Sequence, residues 1–435
     1  MSRLPIRLLG RMLLGLAFAP PFAAFGQSVD LTALTLTQAE ELLQERNREL
    51  QVARRALEVA GANTLSAGAR PNPTLSLGVS AINPSAGVGA GPYREKTVDT
   101  SVRIDQVIER GDRRELRLAN AKSLESASTE DLSEAQRQQR LALRYAYYDL
   151  LFTQDKVDIA RGTIALFESS VRAAELRLKA GDIASAEVSR LRVDALRSQN
   201  DARSAEAEQR RAQLALAYMI GAEGRAIGIH AVDPWPSVYA GRPGGAVDEL
   251  IEGRPDVRAA KSRLEAAQNG RDLAKSLRTR DVTVGAQYDH YPLGTAPANT
   301  FGNGNSYGVF VSVPIFAGYY YEGEIRRSEV DYGAAMESLD RVRAQARTEI
   351  ARAFSDLQAA AERLQRYDES LLIEAKRSSD SAEFAYKNGA IGVMDLLDAR
   401  RTLRAIQVDA ASARNDYSKA LAAWQAGIGR LDEGK

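Results

Sequence analysis

In the stretch FAYKNGAIGVMDLLDAR, Asp395 and Asp398 stand three residues apart, just beyond the glycines Gly389 and Gly392. Acids at i and i+3 share one helix face, which in an arbitrary helix means a solvated pair and at an opening means a local negative field. Other chemistry is thinly supplied. With no cysteine there are no disulfides, thiolate metal sites or thiol nucleophiles. The two histidines, His230 and His290, are isolated, five methionines are scattered, and no His pair at i and i+4 exists, so metal coordination by this chain is not expected. Gly302, Gly304 and Gly308 are not followed by a helix, which removes a phosphate-binding reading. No catalytic triad or nucleotide loop appears, so neither an enzyme nor a cofactor is expected.

The elements that must hold the aspartates are legible from composition and pattern. Net charge is +1 over 435 residues with acids and bases interspersed, which gives nucleic acid nothing to bind. Arg3, Arg7 and Arg11 precede the apolar run MLLGLAFAPPFAAFG, and Ala24-Phe25-Gly26 has the form of a signal-peptidase site. Residues 1–26 are therefore read as a signal peptide and the mature chain as starting near Gln27, outside the cytoplasm. No later segment has the roughly 20 apolar residues of a spanning helix. If this chain crosses a membrane, it does so with strands.

The chain reads as one unit written twice. LRLKAGDIASAEVSRLR, Leu176 to Arg192, aligns without a gap on the stretch around Gly389, pairing Lys179 with Lys387 and Gly181 with Gly389 at a separation of 208. Further upstream, NRELQVARRALEVA parallels RPDVRAAKSRLEAA with Leu50 opposite Val257, a separation of 207. The predicted division is a first repeat over 27–224, a Pro/Gly-rich linker over 225–247 and a second repeat over 248–435.

Proline is absent between Pro92 and Pro234 and again after Pro314. Those stretches are rich in strong helix formers, which predicts very long helices at 111–220 and 319–428. A helix from Gly111 to Lys179 would reach on the order of 100 Å. Ahead of them lie segments of period two: TLSLGVSA and TVDTSVRID, about 74–105, and DVTVGAQYDH and YGVFVSV, about 281–314. Each has one apolar and one polar face, as strands of a membrane barrel do. The loops within each pair, NPSAGVGAGPYREK and YPLGTAPANTFGNGNS, have the Gly-, Pro- and Asn-rich character of long external loops.

Four strands cannot close a barrel, and lipid does not satisfy unpaired strand edges. Closure therefore requires association of several chains, and a trimer would supply twelve strands. A secreted structural coiled coil would explain the long helices but leaves the strand pairs without a purpose.

The order of elements, the duplication, LTLTQAEELLQERNRELQ, RPDVRAA, VPIFAG before a long helix and the two Lys-x-Gly segments resemble the TolC family of outer-membrane efflux factors over nearly the whole mature chain. PNPTLSLG and QVIERGDRRELR are similar to its CzcC-like branch, which serves heavy-metal resistance-nodulation-division (RND) pumps. The resemblance implies an α+β membrane protein. It would be a homotrimer with a twelve-stranded β-barrel in the outer membrane of a Gram-negative bacterium, continuing into a periplasmic α-helical barrel. Such a duct passes substrate from an inner-membrane RND pump and a periplasmic adaptor (membrane fusion protein) to the exterior, without chemistry of its own. Heavy-metal cations are the implied cargo, with drugs or secreted proteins as the alternative. It further implies that Gly181 and Gly389 mark periplasmic tip turns where the adaptor docks, and that Asp395 and Asp398 are constriction acids. Tyr386 resembles a gate tyrosine and Glu187 its acidic partner on the neighbouring tip, while Ile391 stands where some members place an arginine.

Overall fold

The computed structural model of the chain describes residues 30–82, 98–238, 247–291 and 304–429. The expected signal peptide and nearly all of both strand-joining loops lie outside the described residues. The first repeat holds α1 (Leu36–Arg46), α2 (Arg48–Gly68), β1 (Thr74–Ser80), β2 (Asp99–Ile108), α3 (Arg113–Ala180) and α4 (Ser185–Met219). The second holds α5 (Val247–Glu252), α6 (Pro255–Ser276), β3 (Val282–His290), β4 (Asn305–Ser312), α7 (Glu322–Arg366), α8 (Leu372–Lys387) and α9 (Val393–Gly427).

Local chemistry fixes where the helices begin. Thr35 and Gln38 form a reciprocal capping box at α1. At α2 the Asn47 side chain accepts from the Leu50 amide, whereas α6 starts on Pro255, whose ring suits the first helical position. Arg254, just ahead of it, is almost fully buried between Asp256 and Glu349, at 2.7 and 2.8 Å. That pairing ties α6 to α7.

At 68 residues, α3 is about 100 Å long and packs on α2, α4, α6 and α9. Leu143, Tyr147 and Leu150 from α3 enter a core with Leu42, Leu43, Leu216 and Ile220. In the second repeat Ile350 and Leu357 of α7 enter the equivalent core with Val257, Tyr417 and Trp424. The unbroken helix expected there is in fact interrupted: Tyr367–Leu371 form a π turn, with the Leu372 amide donating to the Tyr367 carbonyl. Its physical reason is a residue count. Leu143, Asp149 and Leu150 match Ile350, Asp356 and Leu357 at a separation of 207, yet Gly181 and Gly389 are 208 apart. The second repeat thus carries one extra residue in this interval, and a π turn is how an α-helix takes up one.

The four strands form one antiparallel sheet in the order β1-β2-β3-β4. Its middle seam, β2 on β3, joins the two repeats. The registers place Leu75, Ile104, Ala286 and Val309 in one cross-strand row and Leu77, Val102, Tyr288 and Tyr307 in the next. One sheet face is therefore mainly apolar, broken by Gln106 and, in its end row, by Thr100, His290 and Asn305, and Leu77 and Val309 on it are 74% and 80% exposed. The opposite face carries Ser76, Arg103, Asp105, Gln287 and Ser306, as the alternation predicts. Among the described residues no helix is long and apolar enough to cross a membrane.

Candidate functional site at the helical tip

Two helix reversals lie at the end of the helices farthest from the sheet. In the first, Gly181 adopts φ +83° and its amide bonds to Leu178, while the Asp182 amide reaches Arg177. In the second, Gly389 adopts φ +73° and bonds to Tyr386, while Ala390 reaches Ala385. Both are the same helix-ending turn, built on a left-handed residue. A Cβ at either glycine would meet no atom within 4 Å. Glycine is needed there for its backbone freedom rather than for space.

The two reversals share one apolar core. Phe167 and Ala174 from α3, Val188 and Leu191 from α4, Tyr386 from α8 and Val393, Leu396 and Leu397 from α9 are buried together. This packing fixes the rotation of α9. With Val393, Leu396 and Leu397 inward, Asp395 and Asp398 fall on the exposed side of the same helix. Among the described residues neither carboxylate has an ion-pair or hydrogen-bond partner within the chain.

Tyr386 is 6% exposed, its ring lies 5.2 Å from the Arg177 guanidinium, and its hydroxyl has no hydrogen-bond partner. Glu187, in the first turn of α4, is half-buried. Within one chain the two are brought to the same tip without a hydrogen bond between them. Ile391 packs at the edge of the shared core.

A set of arginines on α9 escapes simple inspection of the sequence. Arg400 is buried and donates to the Ser170 hydroxyl, to the Leu166 carbonyl at 3.3 Å and to Glu383 at 3.2 Å. Arg401 reaches Asp194 and Arg404 reaches Asp201, each at 2.7 Å, across to α4. Glu383 also accepts from Lys387 at 2.7 Å. Its carboxyl is held below the usual range first by Lys387 and then by Arg400. The repeat offers a signal for this pair, since Glu175 and Arg192 stand 208 residues before Glu383 and Arg400 and also bond, at 2.6 Å.

Among the described residues no group of histidines and acids could hold a metal ion. What remains is a structural device: long helices ending in a charged tip, beneath a sheet whose free face is apolar. Those features together define a membrane-embedded conduit with a helical extension in water.

The comparisons agree with that class. The chain belongs to the outer membrane efflux protein family, whose profile matches residues 40–222 and 246–430, one match in each repeat. Outer membrane efflux protein BepC of Brucella suis is 24% identical over 409 residues, covering 91% of this chain and 86% of BepC. Cobalt-zinc-cadmium resistance protein CzcC of Cupriavidus metallidurans is 24% identical over 386 residues, covering 85% and 84%. A membrane protein from Pseudomonas aeruginosa has the same fold, with a TM-score of 0.76, 18% identity and coverage of 91% and 93%. The chain is accordingly a non-enzymatic efflux channel protein of the outer membrane, its helical part in the periplasm.

Proposed function

We propose that three copies of this chain form the outer-membrane exit of a tripartite efflux system and that its cargo is heavy-metal cations. In this reading three four-stranded sheets close a twelve-stranded barrel, since each sheet has two unpaired edges that lipid cannot satisfy. The tip turns at Gly181 and Gly389 are the docking ground for a periplasmic adaptor, behind which sits an inner-membrane RND pump. Asp395 and Asp398 form a ring of six carboxylates that favours cations by its summed field. The observation that carries this is the pair's placement, solvent-exposed and, among the described residues, without a counter-charge, six and nine residues beyond the reversal at Gly389.

Similarity to a cobalt-zinc-cadmium resistance protein supports metal cations over drugs or secreted proteins, and so do the PNPTLSLG and QVIERGDRRELR segments. Selectivity among metals resides in the pump, because this chain offers no coordinating cluster among its described residues. Single-channel recordings test the ring: Asp395→Asn/Asp398→Asn is expected to lower cation preference severalfold, and unchanged selectivity would reject it. Deleting the gene and scoring zinc, cobalt, cadmium, copper and drug tolerance separately tests the cargo. Lost drug tolerance with intact metal tolerance would overturn the assignment to metals.

A further inference from the structure

We propose that Arg110 and Arg280 form a binding site for the phosphate of an anionic glycerophospholipid in the periplasmic leaflet of the outer membrane. Ile108 pairs with Val282 where β2 and β3 end toward the helices. Two positions further along each strand direction the antiparallel register sets Arg110 opposite Arg280. The Arg110 amide donates to Asp281 at 3.1 Å, so the two chain segments still lie side by side there.

Alternation then says which sheet face they continue. Val102, Ile104, Gln106 and Ile108 lead to Arg110, and Ala286, Val284 and Val282 lead to Arg280, all with the parity of the mainly apolar face. Both arginines are exposed. They sit where the lipid-facing surface meets the periplasm, the level of phospholipid headgroups.

Two like charges at facing positions repel, and among the described residues no carboxylate is bonded to either guanidinium. Three neighbouring carboxylates are committed elsewhere. Asp281 takes Arg113 at 2.6 Å, Glu109 takes Arg117 at 2.6 Å, and Glu322 accepts from the Tyr320 amide. Among the described residues neither Arg110 nor Arg280 has an acidic partner. The Arg280 guanidinium lies 5.1 Å from the centre of the Phe316 ring, which leaves its N–H edge free. An oxyanion between the two forks would turn repulsion into paired charge-assisted bonds.

The surroundings choose the source of that anion. Ile315, with the parity of the β4 apolar stripe, is 85% exposed, and Tyr319 and Tyr320 follow it at 51% and 47%. Aromatic rings beside an apolar stripe mark the water–lipid interface, and arginines there extend their head groups into the phosphate layer. A lipid phosphate, carrying its own acyl chains onto Ile108 and Ile315, satisfies both halves of the site. Free phosphate satisfies one. The site lies within a single chain and does not depend on the number of copies in the assembly.

The test uses full-length, delipidated protein in detergent, titrated with dioleoyl phosphatidylglycerol and followed by native mass spectrometry. Arg110→Gln/Arg280→Gln is expected to weaken lipid retention roughly 20- to 30-fold, and Arg280→Gln alone about fivefold, from the usual contribution of one basic residue at an anionic surface. Arg110→Lys/Arg280→Lys should keep most of the binding, and Arg327→Gln on the exposed side of α7 should leave it unchanged. Phosphatidylcholine should bind weakly, and inorganic phosphate in excess should not displace phosphatidylglycerol. Wild-type retention by a folded Gln variant, equal binding of phosphatidylcholine, or displacement by inorganic phosphate would each overturn the proposal. If the double variant fails to fold, the single Arg280→Gln decides, because its arginine leaves only a ring contact behind.

Discussion

The two tips of this chain share a backbone and differ in chemistry. Gly181 and Gly389 make the same left-handed reversal with the same hydrogen bonds. Six and nine residues beyond, the first tip has Glu187 and Arg190, whereas the second has Asp395 and Asp398. One face is balanced and the other purely acidic. The same divergence governs the ion pair just before each turn. Arg192 beside Glu175 is 60% exposed, while Arg400 beside Glu383 is 6% exposed. Both repeats keep the turn and contribute to the shared core, and only the second has its arginine buried against α3 and a purely acidic outer face. A single added residue turns everything beyond it by about 100° unless a π turn absorbs it, so the π turn at Tyr367–Leu371 keeps α8 presenting to the tip core the face that the first repeat presents.

Adding a second residue should separate the two tips most severely. Inserting an alanine after Leu372, beyond the π turn, is expected to rotate α8 and withdraw Tyr386 from its core, a loss of about 3–5 kcal/mol as for other large buried side chains, whereas deleting Glu369 should only let the π turn close into α-helix. Limited proteolysis at the tip would register the insertion as rapid cleavage after Lys387, and a tip as resistant as wild type would refute this role of the turn.

Next in size are Glu383→Gln and Glu175→Gln. The first leaves the buried Arg400 without its carboxylate and should cost about 1.5–3 kcal/mol, whereas the second, at an exposed pair, should cost at most about 1 kcal/mol. Hydrogen exchange of α8 and α4 amides measures both. Because the Glu383 carboxyl is held low, its contribution is complete above the ordinary glutamate range, about pH 4–5. It is lost as pH falls through the lowered value in the folded state. In Glu383→Gln that acid-dependent loosening of α8 should disappear. Equal in the two repeats should be Gly181→Ala and Gly389→Ala, each about 1–2 kcal/mol from left-handed strain alone. Unequal costs in thermal melts would show that the two turns are less alike than their hydrogen bonds.

Much of this was readable from residue order. Alternation located all four strands and both faces of the sheet, because a surface divided between lipid and water enforces period two. Proline placement and the repeat located the long helices and the tip glycines. The π turn was not legible as such, since no residue type marks it. Only the shift of the repeat separation from 207 to 208 betrays it. The exposure of Asp395 and Asp398 follows from Val393, Leu396 and Leu397 turning inward. The burial of Arg400 depends on Leu166 and Ser170, more than 200 residues earlier in the chain, and no local pattern encodes it. The tyrosine–glutamate pairing drawn from resemblance has no hydrogen bond inside one chain.

The free edges of β1 and β4 have a thermodynamic consequence. Each leaves a row of amides and carbonyls that only another chain can satisfy in lipid. In the proposed assembly the stability of this sheet therefore contains a term in protein concentration. Dilution in the membrane acts on it as a denaturant would, and a mutation at either edge shifts the midpoint with the number of chains present. The helical part has buried cores within one chain but also leaves Val52, Leu65, Leu196 and Phe384 exposed, so in the proposed assembly its stability carries part of the same dependence.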